Sequence, residues 1–264
     1  MLPRLMIPYT LTDEDQLCFV HIPKTAGTSL LTILDQQFSA DETCEHRHAE
    51  TILDLPQAEL DKYRLIRAHG TFRQFEKVCK PSSIFITMLR EPIDRVLSTY
   101  YYLTTSPENF YYNQVKAMGL KEFINWDSRD RWIIDNHQTR LITGTNLISQ
   151  TPDLNEAKRI IRDRFKFVGL LERFTDSIQL LSYIFGWQFA EENRKVNITS
   201  TRPKKTELAS QIIDDIKAIN QLDIELYNYA AQLFEEQYKL MRLLKQSDQQ
   251  YEDAASRIRA IFQA

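Results

Sequence analysis

Four short apolar runs constrain this chain more than any other feature: LCFVH at 17–21, RLIRA at 64–68, SIFITM at 83–88 and FVGL at 167–170. Runs this short, apolar without alternation, read as strands covered on both faces. Between them apolar residues recur at helical spacing. Leu30, Leu34 and Phe38 mark a helix over 28–38, and Ile93, Val96, Leu97 and Tyr100 mark another from Glu91 onward; 154–164 and 174–185 are two more. Pro92 falls in a first helical turn, where its missing N–H costs nothing. Residues 107–150 read as short helices around a pocket, 187–205 as irregular chain around Pro203, and the chain from Thr206 as mostly helical. The alternation predicts one α/β domain over 1–264: a doubly wound, mostly parallel sheet flanked by helices, with a helical C-terminal region over about 206–264. Ligands in such folds gather beyond the carboxyl ends of the strands.

The first candidate site follows the first strand. Residues 21–29, HIPKTAGTS, leave that strand and enter a helix, whose start offers open N–H groups and the positive end of the dipole. Gly27 permits close backbone approach to an anion. Thr25, Thr28 and Ser29 carry hydroxyls, and Lys24 carries a charge that can follow an oxygen. The plainer alternative is that Thr28 or Ser29 caps the helix, which accounts for one hydroxyl but not for the cluster. A Walker A loop needs its Lys after the second Gly, whereas Lys24 precedes the only Gly here. The nearest candidate for a magnesium-binding strand end, 168–172, closes on Glu172, so a metal-free transfer is favoured over kinase chemistry. The second site follows the third strand: Arg90 stands at its end and Ser98 two turns into the next helix. Arginine offers a bidentate fork to phosphate and serine a further bond. Asp94 and Ser98 share a helix face. Taken alone, the segment reads equally well as a solvated amphipathic helix.

Together the two segments resemble the family of sulfotransferases that use PAPS (3′-phosphoadenosine 5′-phosphosulfate). HIPKTAGTS resembles the family's 5′-phosphosulfate loop and REPIDRVLSTY, 90–100, its 3′-phosphate segment. The likeness is to bacterial members and to the glycan-modifying branch that includes the uronyl 2-O-sulfotransferases. It extends over about 17–235, through AHGTF (68–72), NHQTRLITG (136–144), FVG (167–169) and NITSTRP (197–203). The resemblance implies a P-loop-like fold in which Lys24, Thr25, Ala26, Gly27, Thr28 and Ser29 hold the 5′-phosphosulfate. It implies that Arg90 and Ser98 hold the 3′-phosphate, and that a loop carrying Thr199 and Arg202 closes over the nucleotide. PAPS is then the co-substrate and adenosine 3′,5′-bisphosphate the product, with no metal required. His69 becomes the general base for an acceptor hydroxyl, and Lys24 the stabiliser of charge on the leaving phosphate oxygen. Read on residues alone, His69 is a structural histidine at a strand end. Gln138 and Arg140 contact the acceptor or shape its pocket, with Arg140 alternatively an ion-pair partner. By the same analogy the acceptor is a saccharide.

Charge and composition narrow the alternatives. A net charge of −3 supplies no global field for nucleic acid or anionic membrane. No stretch approaches the ~18 apolar residues of a membrane span, and Pro3 and Pro8 interrupt any signal-peptide core, so the chain reads as cytoplasmic. Cys18, Cys44 and Cys79 are too few and too scattered for a disulfide framework. Cys18 reads as a buried hydrophobe. Cys44, His46 and His48 read as a polar surface loop or, less economically, as part of a metal site. Among the remaining histidines, His21 reads as a strand residue and His137 as a lesser candidate for the base. In the C-terminal region Leu226, Tyr229, Ala230 and Leu233 form an amphipathic face for the sheet or for an oligomer. A non-catalytic nucleotide-binding module and a P-loop kinase stand as the rival functions, and oligomeric state is not legible.

Overall fold

The apolar run after Gln16 forms strand β1 (Leu17–Val20), fully buried, as uninterrupted apolarity requires. The computed structural model describes residues 8–145, 147–189 and 207–263, with side chains through 249. Strand β2 (Leu65–Ala68) pairs in parallel with one edge of β1, from Leu17↔Leu65 to Val20↔Ala68. Strand β3 (Ile84–Leu89) pairs with the other edge, and β4 (Phe165–Leu170) pairs with β3. The order is β2-β1-β3-β4, all parallel. The chain therefore moves outward from β1 to β2 and then crosses back to β3, which places the switch in winding direction between β1 and β3.

Helix α1 (Gly27–Leu34) follows β1, and α2 (Ala49–Leu53) and α3 (Gln57–Leu60) precede β2. Helix α4 (Phe72–Val78) leads to β3 and starts with a capping box between Thr71 and Gln74. Helix α5 (Pro92–Thr105) leaves β3 with Pro92 in its first turn. Short helices α6 (Tyr112–Val115), α7 (Leu120–Ile124) and α8 (His137–Thr143) follow, then α9 (Leu154–Arg164) and α10 (Phe174–Phe185) on either side of β4. Helices α11 (Ser210–Ala218) and α12 (Gln221–Gln263) close the described chain. Side chains alternate across a strand, so Phe19 and Arg67 point to one face and Cys18 and Phe85 to the other. Arg67 pairs with Asp35 at the end of α1, whereas Phe85 packs on Phe72 of α4. Helices α1 and α4 thus cover opposite faces, which makes the sheet doubly wound.

Two expectations need correction. Helix α1 ends at Leu34, not Phe38: the N–H groups of Gln36 and Gln37 turn back to Ile33 and Leu34, and Ser39 begins a new turn on Glu42. Phe38 stays buried by packing edge-on against Trp187. The segment around Cys44 is not simply a surface loop. Thr43 bridges Leu65 and His48 bridges His69, so the segment runs along the outer edge of β2 and covers it, burying Cys44 completely. Cys18 and Cys79 are likewise buried, with free thiols. In α12, Leu226 and Ala230 join the main core with Tyr229 and Leu233 packed beside them. Among the described residues no helix is long and apolar enough to cross a membrane.

Candidate functional site

The loop after β1 and the end of β3 meet at the switch in winding direction. Two of the loop's residues, Lys24 (φ 68°) and Ala26 (φ 67°), have left-handed backbone, which a non-glycine residue adopts only when its surroundings impose it. Ala26 is the N-cap of α1 and offers no side-chain cap to the first N–H groups of the helix. Helix α1 has eight residues, enough to present a positive dipole end. Gly27 is there for a steric reason: a Cβ at this position would lie 1.6 Å from His21 Nε2. Thr25, expected to offer its hydroxyl to an anion, is wholly buried and donates instead to the Ile22 carbonyl at 2.8 Å, closing the turn. Thr28 is exposed and Ser29 half-buried, so both hydroxyls stand at the loop surface.

Arg90 is 9% exposed and its Nη1 donates to the Lys24 carbonyl at 3.0 Å, so one guanidinium ties the end of β3 to the loop after β1. The Lys24 ammonium lies 3.9 Å from the centre of the Tyr102 ring, on α5. Ser98 is half-buried on the same helix, one turn after Asp94. The sequence-read anion ligands Lys24, Ala26, Gly27, Thr28, Ser29 and Arg90 therefore gather at one sheet end. Thr199 and Arg202 lie outside the described residues.

Beside the loop, a cleft of about 330 Å³ opens between β2 and α1. It is lined by His21, Arg67 and His69, by Thr28 and Thr32 of α1 with Asp35 at its end, and by Arg47. His21 and His69 stack at 4.0 Å, and His48 lies 5.7 Å further on. His69 Nδ1 lies 3.0 Å from the His21 carbonyl. A carbonyl only accepts, so Nδ1 carries the proton and Nε2 is left as the basic nitrogen. Burial holds the His69 pKa below its usual value, with the charges of His48 and Arg47 acting in the same direction and the carbonyl bond opposing. His21 is pushed down to about 2, first by burial and then by His69, Arg47 and Lys24. Both rings are neutral at neutral pH.

Several sequence-read residues have other employment. His137 is 3% exposed, and burial holds its pKa well below the usual range. Gln138 is 1% exposed, and its amide exchanges two bonds with the backbone of Arg90. Arg140 is 3% exposed and holds the carbonyls of Asp135, Leu147 and Gln150 and the carboxylate of Asp135. Both were expected to touch or shape an acceptor pocket. Their polar atoms are spent inside the protein, and the ion-pair alternative describes Arg140. Among the described residues no cluster of three or more His, Cys, Asp or Glu side chains could hold a metal ion. Sequence reasoning missed Arg67, Asp35 and Arg47. Arg67 was the legible one, because two residues before His69 on a strand is the same face.

A model of the sulfotransferase family matches residues 8–230. Heparan-sulfate 6-O-sulfotransferase 2 of Gallus gallus is 23% identical over 289 aligned residues, covering 89% of this chain and 71% of that protein. Heparan-sulfate 6-O-sulfotransferase 1-B of Danio rerio is 24% identical, covering 92% of this chain and 72% of that protein. A solved sulfotransferase from Alicyclobacillus acidocaldarius shares the fold, with a TM-score of 0.50 at 15% identity over 85% of this chain and 97% of that one.

Proposed function

The chain belongs to the sulfotransferase family, and from that premise we propose that it transfers a sulfuryl group from PAPS to a hydroxyl of a saccharide acceptor. The observation that carries the reading is the meeting of two anion-binding motifs at one sheet end, 3.0 Å apart at Arg90 and Lys24, beside a histidine with an unprotonated Nε2. The loop 24–29 holds the 5′-phosphosulfate with the N–H groups at the start of α1, and Arg90 with Ser98 holds the 3′-phosphate. His69 Nε2 takes the proton of the acceptor hydroxyl as its oxygen attacks sulfur from the cleft side. The sulfur–oxygen bond to the 5′-phosphate breaks, and Lys24 moves from the Tyr102 ring to the charge that builds on that oxygen. Adenosine 3′,5′-bisphosphate leaves. The reading needs no metal. The names of the two heparan-sulfate relatives support a saccharide as the acceptor class.

The first test is calorimetry with adenosine 3′,5′-bisphosphate in the absence of metal, against ATP with Mg²⁺. Arg90→Ala should weaken the bisphosphate by ~1.5–3 kcal/mol, the worth of bonds to a charged partner. Preference for ATP with Mg²⁺ would replace the reading with a kinase. Tight bisphosphate binding without sulfate transfer to any member of a saccharide panel, and no change in His69→Ala, would leave a non-catalytic binding module.

A further inference from the structure

We infer that Gln138 is a positioning residue for the donor nucleotide, acting on the 3′-phosphate through the backbone of Arg90. The inference rests on the reading of Arg90 as a 3′-phosphate ligand. Arg90 follows directly on β3, where the ladder to β4 ends at Leu89↔Leu170. Its N–H and C=O are therefore beyond the reach of the sheet. Gln138 satisfies both: Arg90 N–H donates to Gln138 Oε1 at 2.9 Å, and Gln138 Nε2 donates to the Arg90 carbonyl at 2.8 Å. The Gln138 amide carries an acceptor and a donor on one planar group and so meets both the N–H and the C=O of Arg90, which a methionine or an ionised glutamate of similar length cannot do. The side chain is 1% exposed, which excludes direct contact with a ligand as its role.

Gln138 is itself anchored from a distant part of the chain. Its backbone N–H donates to Asp223 Oδ2 at 3.0 Å, and Thr139 gives Asp223 Oδ1 both its N–H and its hydroxyl at 2.7 Å. In return the Asn136 side chain accepts from the N–H groups of Leu222 and Asp223. Helices α8 and α12 thus cap each other's first turns. The route runs from Asp223 to the start of α8, through the Gln138 amide to the Arg90 backbone, and ends at the guanidinium that grips the loop. A guanidinium displaced by the loss of this lock presents its fork to the phosphate at the wrong angle; the 5′ loop loses its tie at the Lys24 carbonyl but keeps the Thr25–Ile22 bond, so the larger effect falls on the 3′-phosphate.

The test compares two nucleotides that differ only in the 3′-phosphate, adenosine 3′,5′-bisphosphate and adenosine 5′-monophosphate, on wild type and Gln138→Met. Methionine keeps the length and removes both bonds. The bisphosphate should bind about tenfold more weakly while the monophosphate loses only a small part of that, so that the preference for a 3′-phosphate collapses. Gln16→Met serves as control, because it removes a buried amide bonded to the carbonyls of Leu60 and Tyr63 and to the N–H of Lys80, at the opposite end of the sheet. It should lower the melting temperature and leave the preference intact. Asp223→Asn, which keeps the shape at the far end of the route, should weaken the preference in the same direction and covers the case of an unfolded Gln138→Met. An undiminished preference in folded Gln138→Met, or an equal loss for both nucleotides, overturns the inference. Absence of any 3′-phosphate preference in wild type overturns the reading of Arg90, and the inference with it.

Discussion

Gly27→Ala adds a single methyl group at the most crowded point of the candidate site. That carbon would stand 1.6 Å from His21 Nε2, 2.1 Å from Cδ2 and 2.5 Å from Cε1, well inside van der Waals contact, so the ring or the helix must move. The ring has little room. It is 9% exposed, stacked on Phe19 at 5.2 Å and on His69 at 4.0 Å. If the ring yields, His69 is displaced; if α1 yields, its first N–H groups leave the loop. Overpacking of a confined site costs about 1–3 kcal/mol, and the upper half of that range applies because neither neighbour is a flexible chain end. Thermal unfolding should register the loss, and calorimetry should show weaker binding of adenosine 3′,5′-bisphosphate. The decisive variant is His21→Ala combined with Gly27→Ala. Removing the ring removes the clash, so the double variant should be more stable than the sum of the single losses predicts, by about 1 kcal/mol or more. Additive losses, or a Gly27→Ala protein as stable as wild type, would refute the steric account.

Three further outcomes follow from the electrostatics. Because burial lowers the His69 pKa, the base form persists to lower pH than in a free imidazole, and the acid limb of kcat/KM should fall below pH 6.5; a limb at or above 6.5 would remove His69 from that role. His21, with a folded pKa of about 2 against 6.5 unfolded, takes up its proton on unfolding, so its share of stability is whole above pH 6.5 and is lost as pH falls towards 2. The free energy of unfolding should drop through that window with a slope of at most about 1.4 kcal/mol per pH unit from this group, and His21→Phe should flatten it. Arg95 is 1% exposed, donates to the Ile133 carbonyl at 2.9 Å, and its charge offsets part of the burial that raises the Asp223 pKa. Arg95→Ala should cost about 3–5 kcal/mol in chemical denaturation, and a loss under 1 kcal/mol would show that the charge is not needed there.

β1 and β3 were legible because a strand buried on both faces writes itself as a nearly continuous apolar run; Arg67 in β2 and Lys166 in β4 interrupt theirs, and each of the four was still placed within two residues. Helices α9 and α10 were legible for the matching reason, a clean 3.6 period bounded by Asp153 at one N-cap and Gly186 at one C-cap. The two proposed anion motifs could be read because each is local, a strand end plus the start of one helix, and the structure brings the two segments together. What stayed hidden was long-range. The stack of His48, His69 and His21 joins three segments whose adjacency exists only once β2 lies beside β1. Gln138 carries no mark in its own neighbourhood that its amide will grip Arg90, 48 positions earlier. Asp223 attracted no attention in an acidic, amphipathic stretch, yet it is completely buried and receives three bonds from α8.

The left-handed backbone at Lys24 and Ala26 has a thermodynamic consequence for the protein without ligand. Holding two L-residues there costs roughly 1–2 kcal/mol each, and the rest of the fold bears that cost whether or not an anion is present. The shape of the loop is thus set before any guest arrives. On the proposed reading of this loop as the 5′-phosphosulfate site, binding spends little on ordering the chain, and most of the attraction between loop and anion remains as affinity. Glycine at position 24 or 26 would relax the empty protein and make it more stable, while the looser loop would bind the anion more weakly. Stability and affinity at this loop are therefore opposed, and a search for thermostable variants conducted without nucleotide would select against the site.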